Sequence, residues 1–166
     1  MTFGNLSRLF ALLALLSIST AVQAQEMGAK SGQNITEMKF TNVPGLPTCV
    51  VGSVQNGDPT KGPSIIFAQI DTGCVIPWHW HTPSEHLMMV SGIARIEMKD
   101  RTPLTLESGG YALMPSRHVH QFRCNRTCSL YIYSDAAFDI HYLDAQGNEI
   151  STEEALKSTL KKKPGK

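Results

Sequence analysis

Short apolar and β-branched runs recur through the middle of this chain, separated by segments rich in glycine, proline, asparagine or aspartate. Runs of ~4–8 such residues bounded by turn residues are typical of β-strands. The pattern predicts strands at residues 49–54, 64–70, 85–90, 93–98, 104–106, 111–114, 119–123 and 130–133. Many short strands in succession, without a repeat of solenoid length, indicate an all-β fold, either an antiparallel barrel or a sandwich.

One helix is predicted after these strands. Ser151 and Glu154 stand at the spacing of a capping box, and three residues that favour helix follow them. The chain ends in a lysine-rich segment, residues 161–166, which we expect to be solvated; contact with an anionic surface is the alternative.

The first 24 residues have the pattern of a secretory signal peptide. Arg8 supplies a positive charge, residues 9–18 form an apolar run, and small residues flank Gln23. A membrane anchor is the alternative, but a spanning helix needs roughly 20 apolar residues and this run is shorter. We therefore expect export to the periplasm or the extracellular space, with no transmembrane segment after cleavage. The predicted organisation is a signal peptide (1–24), a flexible lead-in (25–40), a barrel domain (41–150) and a short helix with a basic tail (151–166).

The charge balance of the mature chain gives no reason to expect nucleic acid as a partner. The sequence has 15 Lys and Arg against 14 Asp and Glu, and cleavage after residue 24 removes Arg8, so the charges balance. The remaining ~140 residues suffice for one domain with one core. A small-molecule ligand or substrate is the expected partner, and a homodimer stays open.

Four cysteines in an exported chain are expected to pair, and sequence alone allows three pairings. Cys124 and Cys128 flank three residues, and a three-residue hairpin loop would set them opposite each other at a distance that a disulfide spans. This favours Cys124 with Cys128 and leaves Cys49 with Cys74. Free or metal-binding thiols are the alternative.

A metal-ligand pattern lies in the middle of the chain, where Gly73, His79, His81, Glu85 and Gly92 form G-x5-H-x-H-x3-E-x6-G. Side chains alternate between the faces of a strand, so His79 and His81 point the same way. Glu85 adds an oxygen from the next strand. Imidazole and carboxylate donors suit Fe, Mn, Ni, Cu or Zn, and four protein ligands leave two positions of an octahedral ion open. Because these histidines must be unprotonated to bind, an ordinary histidine pKa predicts metal loss near about pH 6.

This pattern resembles the first motif of the cupin superfamily. A second cupin motif, G-x5-P-x-G-x2-H-x3-N, resembles the stretch that contains Gly109, Pro115 and His120. Arg117 stands where the family has its second glycine, and Cys124 stands where it has asparagine. The glycine usually supplies a positive φ angle, which arginine adopts only at a cost. The resemblance implies His120 as the third histidine ligand, and His118, two residues earlier, is the competing candidate.

The resemblance covers residues 64–134 and implies a single, small cupin barrel, which is a double-stranded β-helix of jelly-roll type, followed here by a short C-terminal helix. It implies one divalent transition metal ion inside the barrel, a pocket at one mouth, and the ligand set His79, His81, Glu85 and His120. It does not imply a reaction, because cupins include dioxygenases, isomerases, epimerases, decarboxylases and proteins that only bind.

Alternation from Glu85 predicts which residues face the pocket. Leu87 and Met89 share its face, whereas His86 faces away and is not expected to bind metal. Trp78 and Trp80 are expected to pack between the barrel and a neighbouring segment or subunit. Further candidates for substrate contact are Arg95, His118, Tyr131 and Tyr133.

Two classes of function remain open. The first is an exported metalloenzyme that acts on a small, largely uncharged or oxygen-chelating organic molecule, with oxygenase and isomerase chemistry unresolved. The second is a cupin that binds or senses a metal or metabolite without turnover. No catalytic acid or base can be assigned from spacing.

Overall fold

The computed structural model describes residues 32–160, so the predicted signal peptide, residues 25–31 of the predicted lead-in and the lysine-rich segment 161–166 lie outside the described residues. Within this part the structure contains one 3-10 helix, ten β-strands and one α-helix. In chain order these elements are η1 (Ile35–Glu37), β1 (Thr41–Asn42), β2 (Val50–Gly57), β3 (Ser64–Ile70), β4 (Val75–Trp80), β5 (Glu85–Met98), β6 (Leu104–Glu107), β7 (Tyr111–Met114), β8 (His120–Ser134), β9 (His141–Leu143), β10 (Glu149–Ile150) and α1 (Thr152–Leu160).

Two long strands, β5 and β8, form the centre of the fold and pair with each other antiparallel. On its other edge β5 pairs first with β7 and then with β6. The other edge of β8 pairs first with β4 and then with β3, and each of these strands continues the sheet through shorter neighbours. This antiparallel arrangement with a C-terminal helix confirms the predicted all-β jelly-roll fold.

The sequence predicted breaks in both central strands where the structure has bends. The predicted strands 85–90 and 93–98 belong to one strand, and residues 120–123 and 130–133 likewise belong to one strand that begins one residue later than predicted. Gly92 explains the first bend, since its φ of 98° is a conformation that other residues rarely adopt. The pairing of β5 with β8 shifts register on both sides of this glycine, so the chain bulges and continues.

We predict that Gly92→Ala destabilises the protein by about 2–3 kcal/mol, because a left-handed φ and a steric clash add to each other. A Cβ at this position would lie 2.3 Å from the Thr127 carbonyl oxygen and 2.5 Å from that of Arg126. Gly73→Ala is the matched control. Gly73 also has a positive φ, of 82°, but no atom lies within 4 Å of its Cβ position, so a cost of about 1 kcal/mol is expected. Equal losses in urea unfolding would remove the steric part of this explanation.

Both disulfides have the pairing that the sequence favoured, Cys49 with Cys74 and Cys124 with Cys128. The hairpin on which the second pairing was based is wrong, however, because β8 runs through both cysteines. The bridge instead spans the bulged middle of β8, and the two Cα atoms lie 6.0 Å apart. Here β8 changes partner from β4 to β3.

Inward residues of the strands form one core, in which Ala94, Ile96 and Leu130 are almost fully buried. The helix begins as predicted, since the Glu154 backbone N–H donates to Ser151 Oγ at 3.2 Å. In the predicted lead-in, η1 forms one short turn. Among residues 32–160, no helix is both long enough and apolar enough to span a membrane.

Candidate metal centre

Three histidines and one glutamate meet inside the barrel, and we call them the histidine–glutamate set (His79, His81, His120 and Glu85). His79 lies in β4 and is the register partner of His120 at the start of β8. His81 follows the end of β4, two residues after His79, and Glu85 begins β5. All four side chains are buried, with exposures between 2% and 5%. His79 and His81 therefore point the same way, as alternation between the faces of an extended chain predicted.

Backbone carbonyls fix the tautomer of each histidine. Nδ1 of His79 bonds to the carbonyl oxygen of Pro77 at 2.6 Å, and Nδ1 of His120 bonds to that of His118 at 2.8 Å. Nδ1 of His81 bonds to the Asp139 carbonyl oxygen. A carbonyl can only accept, so each Nδ1 carries the proton and each Nε2 has a free lone pair in the neutral ring. Histidines that bind metals usually donate their other ring N–H to a carbonyl or carboxylate in this way.

The donor atoms lie close enough for one ion to be shared. One ring nitrogen from each histidine lies within 4.8 Å of the other two. The Glu85 carboxylate is outside this group of three, but its Oε2 lies 3.2 Å from His81 Nε2. The donor set consists of nitrogen and oxygen atoms, and it therefore fits a divalent transition metal ion.

Burial shifts the pKa of every member of the set in the direction that favours the neutral side chain. Desolvation, together with the neighbouring histidines, holds the pKa of His79 well below 6.5. Desolvation lowers the pKa of His81 and that of His120 to about 4. Desolvation also raises the pKa of Glu85 to about 7, against the opposing effect of His120. The histidines are thus unprotonated far below the pH that their ordinary pKa predicts, and Glu85 is the member that titrates near neutrality.

These pKa values predict that metal binding releases about one proton from Glu85 near pH 6 and almost none from it above about pH 8. Glu85 is mostly protonated below its raised pKa, so affinity should rise with pH up to about pH 7 and then level off. Calorimetry in buffers of different ionisation enthalpy counts the protons. The matched variant Glu85→Gln has no such proton to release. The difference between the two proteins therefore separates the proton of Glu85 from any proton given up by bound water. Equal release by both proteins would exclude Glu85 as a ligand.

A cavity of about 50 Å³ adjoins the set. Its other walls are apolar and are formed by Leu46, Ile70, Ile76, Leu87, Ile96, Phe122, Leu130, Ile132 and Phe138. Leu87 therefore lies where alternation predicted. Met89 is buried in the core but does not line the cavity, which corrects that prediction.

The other proposed contact residues lie away from the cavity. Arg95 is exposed and donates to Glu97 at 2.7 Å, and His118 Nε2 bonds to the Lys99 carbonyl oxygen at 3.1 Å. Tyr131 and Tyr133 do not line the cavity, because the inward residues of β8 occupy even positions from His120 onward. Counting from His120 would have excluded both tyrosines. It would also have identified Leu130 and Ile132, which the sequence analysis missed.

Phe138 was also missed, because it lies between β8 and β9 in a segment without a strand pattern. Its ring centroid lies 5.1 Å from that of His81, and its N–H donates to the Pro59 carbonyl oxygen at 2.8 Å. On either side of it, Asp135 Oδ1 accepts from the Ser84 N–H and Asp139 Oδ1 accepts from the Thr82 N–H. The two aspartates therefore fix this wall of the cavity to the turn that joins His81 to Glu85.

The residues around the set support it from outside. Arg117 has a φ of 58°, the positive value expected of the glycine that it replaces, and its N–H donates to the His81 carbonyl oxygen at 2.8 Å. Its guanidinium lies 4.9 Å from the Trp80 ring, which also stacks on His141. His86 lies outside the cavity and bonds to the Tyr111 hydroxyl, in agreement with its predicted outward orientation.

The comparisons with known proteins agree with this architecture. A family model for the cupin domain matches residues 66–133. An RmlC-like cupin from Shewanella frigidimarina is similar in structure, with 14% identity over 66% of this chain and 92% of its own and a TM-score of 0.54. KdgF from Halomonas sp. is 18% identical over 64% of this chain and 94% of its own, with a TM-score of 0.54. At such identities the structural likeness shows the fold alone. No curated protein matches the chain.

Proposed function

Because this chain belongs to the cupin superfamily, we propose that its histidine–glutamate set binds one divalent transition metal ion and that the adjoining cavity receives a small organic molecule. The observation that carries the proposal is the tautomer of the three histidines. Three backbone carbonyls hold the Nδ1 protons, so three neutral nitrogen donors converge in one buried place. Histidines that served packing alone would also need partners for Nδ1, but they would not need one ring nitrogen each within 4.8 Å of the others.

The residues around the ion have separate tasks in the proposal. The histidines are neutral donors at physiological pH, and the Glu85 carboxylate offsets one positive charge. The apolar walls exclude water, which strengthens electrostatic interactions inside the cavity. A bound divalent ion would supply Lewis-acid polarisation of a ligand oxygen. Four protein ligands would leave an octahedral ion two further positions, for that oxygen and one more donor.

The proposed function is metal-dependent turnover of a small molecule that binds the ion through oxygen. No cation lines the cavity within the described residues, and the cavity volume of about 50 Å³ has room for only a few heavy atoms in the ligand-free form. These features favour a short ligand with an apolar body.

Binding without turnover is the second candidate. One observation favours it, namely that the described lining of this cavity contains no acid or base apart from the histidine–glutamate set. Chemistry that needs an independent proton donor would then have none. A screen for oxygen consumption and for isomerisation of small hydroxy and keto compounds separates the two candidates. Tight binding without product supports the second.

Export is part of the proposal. Two disulfides suit an oxidising compartment, where such bridges form and persist. Residues 1–24 supply the predicted signal. Fractionation of cells that produce the full chain should find a protein shortened at its N-terminus in the exported fraction, and full-length protein in the cytoplasm alone would contradict export.

A further inference from the structure

A second, smaller cavity adjoins the first, with a volume of about 20 Å³. The two cavities share four lining residues, which are Leu46, Glu85, Ile132 and Phe138. Three of these are apolar, and the fourth, Glu85, belongs to the histidine–glutamate set. The second cavity is also mostly apolar, but it contains two hydroxyl groups that the metal cavity lacks, those of Ser64 and Ser134.

Neither hydroxyl has a hydrogen-bond partner among the described residues, and both side chains are only 3% exposed. A buried hydroxyl without a partner is costly, so in a native protein it needs an explanation. Replacing either serine with alanine would remove that cost. A polar group bound against the two hydroxyls would remove it as well.

The strand register aligns these hydroxyls with the metal centre. Ser134 in β8 is the register partner of Glu85 in β5 and also of Ser64 in β3. Glu85, Ser134 and Ser64 thus form one inward row across three neighbouring strands. Strands lie roughly 4.8 Å apart, so the row extends about 10 Å from the metal ligand to Ser64.

From this alignment we infer that Ser64 and Ser134 form a polar subsite for the far end of the ligand whose near end binds at the histidine–glutamate set; the inference rests on the proposed function. The far end is a hydroxyl or carbonyl oxygen. A carboxylate would find no cation among the described lining residues, and a methyl group would leave both serine hydroxyls unpaired. The ligand is therefore a short molecule with an oxygen function at each end of an apolar body.

The test uses Co²⁺ as a spectroscopic ion and two hydroxamates of equal length, 4-hydroxybutanohydroxamate and pentanohydroxamate, which differ in a terminal hydroxyl or methyl group. The wild-type protein should bind the hydroxyl probe about tenfold more tightly, since the methyl probe leaves the hydroxyls unpaired. Ser64→Ala/Ser134→Ala should lose or reverse this preference, and affinity for Co²⁺ itself should not change. Ser91→Ala is the matched control, because Ser91 is an exposed residue of β5 outside both cavities.

An unchanged preference in the double variant would overturn the inference and leave the second cavity to water. So would binding of Co²⁺ with no response to either hydroxamate. Failure to bind Co²⁺ would instead refute the proposed function. In that case NMR of the metal-free protein tests the subsite through the methyl signals of Ile66 and Ile132. Saturable shifts with 1,3-propanediol that the double variant lacks would support it, and identical shifts in both proteins would overturn it.

Discussion

Replacing His79 with alanine is expected to lower the affinity of the protein for Co²⁺ or Zn²⁺ about 100-fold or more, because loss of a residue that merely supports a ligand already costs about 10–100-fold. His79 is the most buried histidine of the set, and its Nε2 has a free lone pair. The double variant His79→Ala/His81→Ala should bind no stoichiometric metal. Competition against a chromophoric chelator gives the affinities, and circular dichroism establishes that each variant is folded.

Two histidines serve as controls for this prediction. His86→Ala should not change metal affinity, because its ring bonds to the Tyr111 hydroxyl outside the cavity. His118 is the sharper comparison with His120. The contact of His118 with the set is made by its backbone carbonyl, which alanine retains, so only His120→Ala should abolish tight binding. Stoichiometric metal in the double variant would refute the site. A strong loss of metal affinity in His118→Ala but not in His120→Ala would show that His120 is not the third ligand.

The second large effect is expected from the disulfide between Cys49 and Cys74. Its cysteines are 25 residues apart, against 4 for Cys124 and Cys128. If bridges act by restricting the unfolded chain, these loops correspond to about 3.5 and about 2 kcal/mol. Breaking the first bridge should therefore reduce the free energy of unfolding by the larger amount.

A matched design isolates the covalent link. One variant lacks the first bridge (Cys49→Ala/Cys74→Ala) and the other lacks the second (Cys124→Ala/Cys128→Ala), and each is unfolded in urea with and without reductant. Within each variant the side chains are the same in both conditions, so the difference reports the remaining bridge alone. A larger effect for the bridge from Cys124 to Cys128 would show that bent-strand packing, and not loop length, governs its contribution.

The sequence was sufficient where local rules decide the structure. Alternation along β4 and the residue that follows it was enough to place His79 and His81 on one face. The cupin motifs indicated His120 and Glu85. Arg117 adopts the backbone conformation of the glycine that it replaces, so this departure from the motif leaves the turn intact. The fold class followed from the succession of short apolar runs.

The remaining features depend on which residues of distant strands pair with each other. Ser91 and Gly92 resemble a turn, but the facing backbone of β8 makes them a bulge within one strand. The faces of Tyr131 and Tyr133 follow by alternation from His120 only because β8 runs unbroken through residues that the sequence analysis left outside any strand. Phe138 is positioned by aspartates that bind the turn between His81 and Glu85. The pairing of Ser64 with Ser134 joins residues 70 positions apart, and no local pattern reveals it. Burial also lowers the pKa values of the histidines and raises that of Glu85, so affinity for metal is expected to fall first with protonation of Glu85 and not with that of the histidines.

The most direct test of the central claim is the metal content of wild-type protein purified without chelators from its native compartment. Elemental analysis by mass spectrometry should find one transition metal ion per chain, and X-ray absorption should show imidazole nitrogens at about 2.0–2.1 Å if the ion is Zn²⁺. A further position should exchange with an added chelating anion. Protein that neither contains such an ion nor binds one when it is supplied would contradict the account, and an ion without an exchangeable position would exclude the proposed turnover.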